Sequence, residues 1–209
     1  MMLRLLAARH GETDWNTAGR FQGRTDVPLN DRGRAQAHAL ALRLRGEDIG
    51  AIYASHLRRA WDSALAIGAA INVEPRPDHR LAELSYGDWE GRTRAEIAER
   101  WPEIWHARGN SAAVVPPNGE PLEEAAERLG AFLDDLYRWH PTGTVLVVSH
   151  GGAMSVLACL VLGLPPSRRS IFGSANTGLA EFELSQGRRK LRRWNDTAHL
   201  VLPAGDPPG

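Results

Sequence analysis

Apolar residues follow two patterns along the chain, short continuous runs and longer stretches with helical spacing. The continuous runs have the length of strands covered on both faces, and they span residues 3–8, 51–54 and 144–149. The predicted helices span residues 30–45, 58–70, 122–139 and 151–162. Because the predicted strands alternate with predicted helices, the pattern favours a sheet with helices on both faces.

Capping residues mark several of the predicted helix ends. Asn30 is placed to cap the helix that runs to about Arg45, and Gly46 is placed to end it. Thr93 and Glu96 have the spacing of a capping box that starts another short helix. On the helix at 122–139, the positions predicted to face inward are Ala126, Leu129, Phe132, Leu133 and Leu136.

The segment from Trp101 to Pro121 interrupts the pattern. It is rich in proline and glycine and has no sustained period, so we predict a loop or lid over residues 101–121. Residues 178–184 and 190–194 predict an antiparallel hairpin around Gln186-Gly187. The whole predicts one α/β domain over residues 1–203, a three-layer sandwich whose mostly parallel central sheet ends in an antiparallel C-terminal hairpin. Residues 204–209 are predicted to be a disordered tail.

Chemically active side chains follow two of the predicted strands directly. Arg9 and His10 end the first strand, and His150 follows the strand at 144–149. The carboxyl ends of parallel strands meet at one rim of a sheet, where ligands of α/β proteins bind. We therefore expect the two histidines to lie close together although 140 residues separate them.

Charge and composition narrow the classes of function. The chain has 25 basic and 25 acidic residues, so no global field attracts nucleic acid or an anionic membrane. The basic run at 188–193 is flanked by strand signals, and we interpret it as a charged edge strand. The apolar stretch at 144–164 contains Ser149 and His150, which predicts a buried strand and helix rather than a membrane span.

The chain has one cysteine, Cys159, in an apolar run. An intrachain disulfide and a cysteine-rich metal site are thereby excluded, and we expect Cys159 to pack as a small apolar residue in a cytoplasmic protein. His10 and Glu12 have the spacing of a zinc deaminase motif, but that chemistry needs a paired-cysteine motif further along the chain. We predict neither a metal ion nor another cofactor.

Several motifs in the chain carry residue types that could supply a nucleophile, an acid and positive charges, which phosphoryl transfer needs. The motifs are Arg9-His10-Gly11-Glu12-Thr13 with Trp15-Asn16, Phe21-Gln22-Gly23-Arg24-Thr25-Asp26, Ser55-His56-Leu57-Arg58-Arg59-Ala60, Leu81-Ala82-Glu83, Gly87-Asp88-Trp89-Glu90-Gly91, and Val148-Ser149-His150-Gly151-Gly152. In residues and in order, the chain resembles the histidine phosphatase (phosphoglycerate mutase-like) superfamily from residue 3 to about 200.

The resemblance implies a role for each matching residue. His10 is expected to attack phosphorus and become phosphohistidine, and Glu83 to protonate the leaving oxygen and then activate water. The phosphoryl oxygens are expected to be held by Arg9, Arg59 and His150. Further hydrogen bonds to phosphate or substrate are expected from Asn16, Gln22, Gly23 and Gly151.

Neighbouring residues compete with some of these assignments. Arg58 competes with Arg59, and the family spacing favours Arg59. Asp88 and Glu90 compete with Glu83, although Glu90 is expected to be structural. Trp101 and Trp105 lie in the predicted lid, where contact with substrate stays open, and His199 is expected to close the fold.

The residues after Glu83 distinguish two branches of the superfamily. Mutases typically continue with a basic Arg-His-Tyr-Gly run, whereas this chain continues Leu84-Ser85-Tyr86-Gly87, which favours the phosphatase branch. We expect hydrolysis of a small phosphorylated metabolite, with a cofactor-dependent phosphoglycerate mutase as the alternative. An inactive scaffold that binds phosphorylated ligands is a second alternative. The resemblance also leaves a homodimer open.

Overall fold

A computed structural model describes residues 2–110, 114–185 and 187–201. These residues form a sheet of six strands: β1 (Met2–Arg9), β2 (Ala51–Ala54), β3 (Pro75–Pro77), β4 (Gly143–Ser149), β5 (Leu179–Ser185) and β6 (Arg188–Asp196). The strand order is β3-β2-β4-β1-β5-β6. The first four strands in this order are parallel to one another, and β5 runs antiparallel to both of its neighbours, β1 and β6. The predicted α/β fold is thereby confirmed, including the C-terminal hairpin; Gln186 in its turn lies outside the described residues.

The helices are α1 (Asp14–Thr17), α2 (Asp31–Leu44), α3 (Arg58–Ile71), α4 (Arg94–Arg100), α5 (Pro102–Asn110), α6 (Leu122–Trp139) and α7 (Gly151–Leu162). Asn30 caps α2 through the backbone N–H of Gly33, and Thr93 and Glu96 form the predicted capping box at α4. In the part of the chain that the structure describes, no helix has the length and apolar character needed to cross a membrane.

Alternate side chains of the central strands supply two separate cores. Leu5, Tyr53 and Val147 face a core shared with α6 and α7, whereas Leu6 and Ile52 face a core shared with α2 and α3. Cys159 is fully buried in the first core, as predicted. The three layers follow from this alternation, because both faces of the sheet are apolar and each must be covered.

The structure corrects two expectations about helices. The prediction of a loop over the whole of residues 101–121 is wrong, because α5 occupies Pro102–Asn110. Proline is tolerated at the first position of a helix, because the backbone N–H that it lacks would have no helical partner there. Trp105 stabilises α5 by packing on Phe21 and Trp89. On α6, Ala125 is the fully buried residue, while Ala126 is only partly buried.

The basic run forms the edge strand β6, as predicted, and several of its charges are neutralised within the sheet. Arg192 pairs with Glu183 at 2.7 Å, and Arg193 pairs with Glu181 at 2.7 Å. Charged side chains on an edge strand resist pairing with a second sheet. At the opposite edge, the prolines of β3 limit pairing with a second sheet, because proline has no backbone N–H to donate.

Candidate active site

The site lies where β1 and β4 end side by side. Arg9 and Ser149 are register partners, and the backbone N–H of His10 donates to the Ser149 carbonyl at 2.9 Å. The chain leaves both strands at this point, and the rings of His10 and His150 come within 5.1 Å between centroids. The predicted convergence of the two histidines is confirmed.

The ring of His10 is buried and held by one nitrogen. Its Nδ1 lies 2.6 Å from the Gly11 carbonyl oxygen. A carbonyl only accepts, so Nδ1 carries the proton and the neutral ring keeps its lone pair on Nε2. Burial lowers the pKa of His10 well below its usual value, and the nearby charges of Arg9 and Arg59 lower it further. The ring is therefore neutral at neutral pH, with its lone pair on Nε2.

His150 occupies the N-cap position of α7 without a side-chain capping bond, and its ring is held by the other nitrogen. Its Nε2 lies 2.8 Å from Oγ of Ser55, which also accepts the backbone N–H of Leu57 at 3.3 Å. With the hydroxyl proton donated to Nε2, the proton of the neutral ring is on Nδ1, a buried atom without a partner among the described residues. Burial lowers the pKa of His150 well below its usual value, with Arg59 and His10 adding to the shift.

Two arginines flank the histidines, Arg59 fully buried and Arg9 partly buried. Arg59 is fully buried and donates to the carbonyls of Thr25 at 2.8 Å and Gly23 at 2.7 Å. Arg9 donates to the Ser174 carbonyl at 2.6 Å. Burial lowers the pKa of both guanidinium groups, and nearby Glu83 opposes the shift.

Neither arginine forms a salt bridge with a described carboxylate, and the Nε atom of each is buried without a partner there. A buried charge is costly unless it is paired, so two guanidinium groups with unused donors beside two neutral imidazoles form a site suited to an anion. The planar fork of arginine matches the oxygens of phosphate.

Glu83 reaches the site from the segment after β3. Its carboxylate accepts the backbone N–H groups of Gly152 at 3.0 Å and Ala153 at 2.8 Å, at the first turn of α7. Arg128 of α6 fixes the supporting backbone by donating to the carbonyls of Ala82 and Glu83. The carboxyl group is thus held on the same helix that begins after His150.

The remaining predicted ligands lie around this cluster. Gln22 is buried, and its Oε1 has no partner among the described residues. Gly23 has a φ of 52°, and its carbonyl supports Arg59. Oδ1 of Asn16 accepts the backbone N–H of Thr13 at 3.1 Å, in the capping box that starts α1. A Cβ placed on Gly151 would lie 3.6 Å from Nε of Arg9, so this residue borders the arginine. The roles of these four residues in binding stay predictions.

The residues considered as alternatives to the predicted site residues are exposed or make structural contacts. Arg58 is exposed, whereas its neighbour Arg59 is buried. Glu90 accepts the backbone N–H groups of Arg24 and Thr25, so it shapes the loop beside Arg59. His199 hydrogen-bonds Thr177 at 3.1 Å, as expected for a residue that closes the fold.

The two lid tryptophans make internal contacts. The guanidinium groups of Arg92 and Arg100 lie 5.5 Å and 5.0 Å from the Trp101 ring. The Trp105 ring lies 5.6 Å from that of Trp89. Both side chains thus stabilise the segment that contains α4 and α5.

Four further residues support the site in ways that the sequence does not predict. Ser55 orients His150, and Gly152 leaves room for Glu83, because a Cβ there would lie 2.6 Å from Oε1 of that carboxylate. Asn176 donates to the His10 carbonyl at 3.1 Å and to Oδ1 of Asn16 at 3.2 Å. Ser174 supplies the carbonyl that holds Arg9. These contacts join segments that are far apart in the sequence, so no local sequence pattern predicts them.

The sequence profile of the family described as "Histidine phosphatase superfamily (branch 1)" matches residues 5–197. The chain belongs to the histidine phosphatase superfamily. This histidine phosphatase is 34% identical over 200 residues to "Phosphoserine phosphatase 1" of Hydrogenobacter thermophilus, a match that covers 95% of each chain. It is also 34% identical over 213 residues to "Probable phosphoglycerate mutase GpmB" of Yersinia pestis, which covers 98% of each chain.

Among solved structures, a mycobacterial glucosyl-3-phosphoglycerate phosphatase superposes on this histidine phosphatase with a TM-score of 0.86. The two are 32% identical, and the match covers 93% of this chain and 99% of the other. The described residues contain no group of three or more His, Cys, Asp or Glu side chains placed to hold a metal ion.

Proposed function

We propose that this histidine phosphatase hydrolyses small phosphomonoesters through a phosphohistidine intermediate on Nε2 of His10, without a metal ion. The observation that carries the proposal is the His10 ring, which is neutral, oriented by the Gly11 carbonyl, and flanked by two buried guanidinium groups. Arg9 and Arg59 supply the positive charge that metal ions supply in other phosphatases.

In the first step the lone pair on Nε2 of His10 attacks phosphorus as the bond to the ester oxygen breaks. Glu83, in its protonated form, gives its proton to the departing oxygen, so the alcohol leaves neutral. Arg9, Arg59 and the Nδ1–H of His150 donate to the phosphoryl oxygens, whose charge is shared with the buried cations through the transition state.

In the second step Glu83, now a carboxylate, takes a proton from a water molecule whose oxygen attacks phosphorus. The phosphorus–nitrogen bond breaks, the electron pair returns to Nε2, and inorganic phosphate leaves. The first turn of α7 holds the carboxylate through two backbone N–H groups. The same group therefore serves as acid and then as base without changing its position.

Hydrolysis is proposed over mutase activity because of the residues that follow Glu83. Transfer back to a substrate needs a site that retains the bisphosphorylated intermediate, and this chain has Leu84-Ser85 where mutases have a basic pair. Two of the relatives are named as phosphatases and one as a probable mutase, so the test must distinguish the two activities.

The test is phosphate release from a panel of phosphorylated metabolites in excess EDTA, with the His10→Ala variant beside the wild-type protein. We expect release by the wild-type protein alone, undiminished by the chelator. Isomerisation of 3-phosphoglycerate in the presence of a bisphosphate primer, with no net release, would favour the mutase. Ligand binding with neither reaction would favour the scaffold.

A further inference from the structure

One asparagine amide joins two parts of the site that lie far from it in the sequence. Nδ2 of Asn176 donates to the carbonyl oxygen of His10 at 3.1 Å and to Oδ1 of Asn16 at 3.2 Å. An amide nitrogen carries two hydrogens, so these two contacts use both of them. The bridge connects the backbone of the proposed nucleophile to a side chain predicted to bind phosphate, and the proposed mechanism does not use it.

The contacts of Asn16 determine which end of its amide is free. The same Oδ1 accepts the backbone N–H of Thr13 at 3.1 Å, and a backbone N–H only donates, so this atom is the oxygen. Nδ2 of Asn16, the other end of the amide, has no hydrogen-bond partner among the described residues. Asn16 thereby keeps its N–H donors free, as a ligand of an anion must.

The capping contact with Thr13 does not by itself place Asn16 relative to His10. Thr13 and Asn16 belong to the capping box of α1, a helix of four residues. So short a helix has little stability of its own, and its position depends on contacts outside it. Asn176, 160 residues away along the chain, supplies such a contact and ties Asn16 to the carbonyl of His10.

The loop that carries Asn176 is itself fixed. The backbone N–H of Thr177 lies 3.1 Å from the Arg9 carbonyl oxygen and 3.3 Å from that of His10. The Thr177 hydroxyl donates to the Asn176 carbonyl at 2.8 Å and lies 3.1 Å from Nε2 of His199. Thr177 has a φ of 56°, in the left-handed region that a β-branched residue rarely adopts. A strained backbone persists only where the surrounding contacts fix it, so the direction of Asn176 is closely determined.

We propose that Asn176 is a positioning residue that holds Nδ2 of Asn16 toward the phosphoryl oxygens while it fixes the backbone of His10. The inference rests on the proposed function and deepens it, because Asn16 acts on the phosphoryl group and Asn176 acts only through its two partners. Donors that are fixed in advance stabilise the charge on the phosphoryl oxygens without reorganisation during the reaction. Loss of the bridge therefore slows the reaction chiefly through Asn16.

A purely structural role for Asn176 predicts something different. If the bridge only fastened the loop, its removal would slow the reaction by the same factor with or without the Asn16 side chain, since independent effects multiply. A positioning role through Asn16 makes the loss depend on that side chain. His199 is the matched control, because it contacts the same loop through Thr177 and forms no hydrogen bond with His10 or Asn16 in the described part of the chain.

The experiment is a double-mutant cycle. The variants are Asn176→Ala, Asn16→Ala and the two together, and the control cycle replaces Asn176→Ala by His199→Ala. Release of p-nitrophenol from p-nitrophenyl phosphate gives kcat/KM, inhibition by inorganic phosphate gives the affinity of the site for the anion, and thermal midpoints report folding. If Asn176→Ala does not fold, Asn176→Leu takes its place, since leucine has a similar shape and no donor.

We expect Asn16→Ala to lower kcat/KM by about 10²-fold, the loss typical of one fixed hydrogen-bond donor. Asn176→Ala should lower it by about tenfold, because misplacement of a group by about 1 Å costs up to 10²-fold. In the protein that already lacks the Asn16 side chain, the same change should cost only about twofold, through the His10 carbonyl. The inhibition constant for inorganic phosphate should follow the same pattern, whereas His199→Ala should cost equal factors in both backgrounds.

An equal loss for Asn176→Ala with and without the Asn16 side chain would overturn the positioning role, and so would an Asn16→Ala variant with unchanged kcat/KM. A control cycle with the same dependence on Asn16 would overturn it too, because the coupling would then belong to the loop as a whole. Absence of release by the wild-type protein would contradict the proposed function itself. That failure is distinguishable because it appears before any variant is compared.

Discussion

The rings of His10 and His150 lie 5.1 Å apart between centroids, and opposite nitrogens of the two rings are engaged. Nδ1 of His10 meets the Gly11 carbonyl, whereas Nε2 of His150 meets the Ser55 hydroxyl. The first contact leaves a lone pair on Nε2 of His10, because a carbonyl only accepts; in the second contact, a Ser55 hydroxyl that donates to Nε2 leaves the N–H of His150 on Nδ1. Two identical side chains thereby suit opposite proposed roles, His10 as the nucleophile and His150 as a ligand of the phosphoryl group.

Arg59→Lys tests the buried guanidinium. Lysine cannot reach the carbonyls of Gly23 and Thr25 and a phosphoryl oxygen together, so we expect kcat/KM to fall by about 10² to 10³. The control is Arg58→Lys, an exposed neighbour on the same helix. Steady-state kinetics on one phosphomonoester checks both variants, and equal losses would refute the assignment of Arg59.

Glu83→Gln tests the proton carrier. The two carboxylate oxygens accept different N–H groups of the α7 turn, so the amide oxygen of glutamine keeps one of these bonds while the proton is lost, and the thermal midpoint checks that the fold is intact. We expect kcat on an alkyl phosphate to fall by about 10² to 10⁴.

With p-nitrophenyl phosphate the leaving group needs no proton, so the first step should survive in Glu83→Gln. Rapid mixing should then show a burst of p-nitrophenol followed by slow turnover. A variant that loses the burst along with the turnover would contradict a role confined to proton transfer.

Gly152→Ala tests the space beside the acid. The new Cβ would lie 2.6 Å from Oε1 of Glu83 and 2.9 Å from the Tyr86 hydroxyl, so one of the two groups must move. We expect kcat/KM to fall by about tenfold or more, because misplacement of a catalytic group by about 1 Å costs up to 10²-fold. Gly151→Ala places its Cβ at ordinary contact distance from Arg9 and should lose less. Comparison of kcat/KM and thermal midpoints for the two variants checks the difference.

Much of the fold was predictable because strands covered on both faces are continuously apolar. The runs at 3–8 and 144–149 therefore mark β1 and β4 and place His10 and His150 at one rim. Helix α5 was not predictable in this way, since the packing of Trp105 on distant Phe21 and Trp89 holds it, rather than an apolar period of its own.

Some residues of the candidate site were predictable from local sequence motifs, and others were not. His10, Arg9 and Arg59 stand in local motifs, and their burial follows from the strand and helix that precede or carry them. The motif that contains Ser55 does not indicate a role for its hydroxyl, and Asn176 stands in a loop without periodicity. Their functions depend on partners 95 and 166 residues away, which only the fold brings into contact.

The buried histidines also predict how stability depends on pH. Burial lowers the pKa of His10 and His150 from a usual value of 6.5, so below about pH 6.5 the unfolded chain binds protons that the native chain does not. The free energy of unfolding should therefore be constant above that pH and fall as the pH decreases from about 6.5 to 5. Asp196, whose pKa is also lowered, acts only below about pH 4.

Urea midpoints measured between pH 8 and 5 check this prediction. The double variant His10→Asn with His150→Asn, compared with His38→Asn, should flatten the dependence if the buried pair causes it. A slope that is the same in both variants would assign the effect to other groups.

The central claim is a covalent phosphoryl group on Nε2 of His10, and trapping it is the most direct test. Glu83→Gln is mixed with p-nitrophenyl phosphate, whose leaving group needs no proton, in excess EDTA, quenched in alkali, where phosphohistidine is stable, and digested for mass spectrometry. We predict one added phosphoryl group on the peptide that contains His10, absent when His10 is also replaced by alanine. Turnover without a labelled His10 peptide, or a label that persists in His10→Ala, would contradict the account.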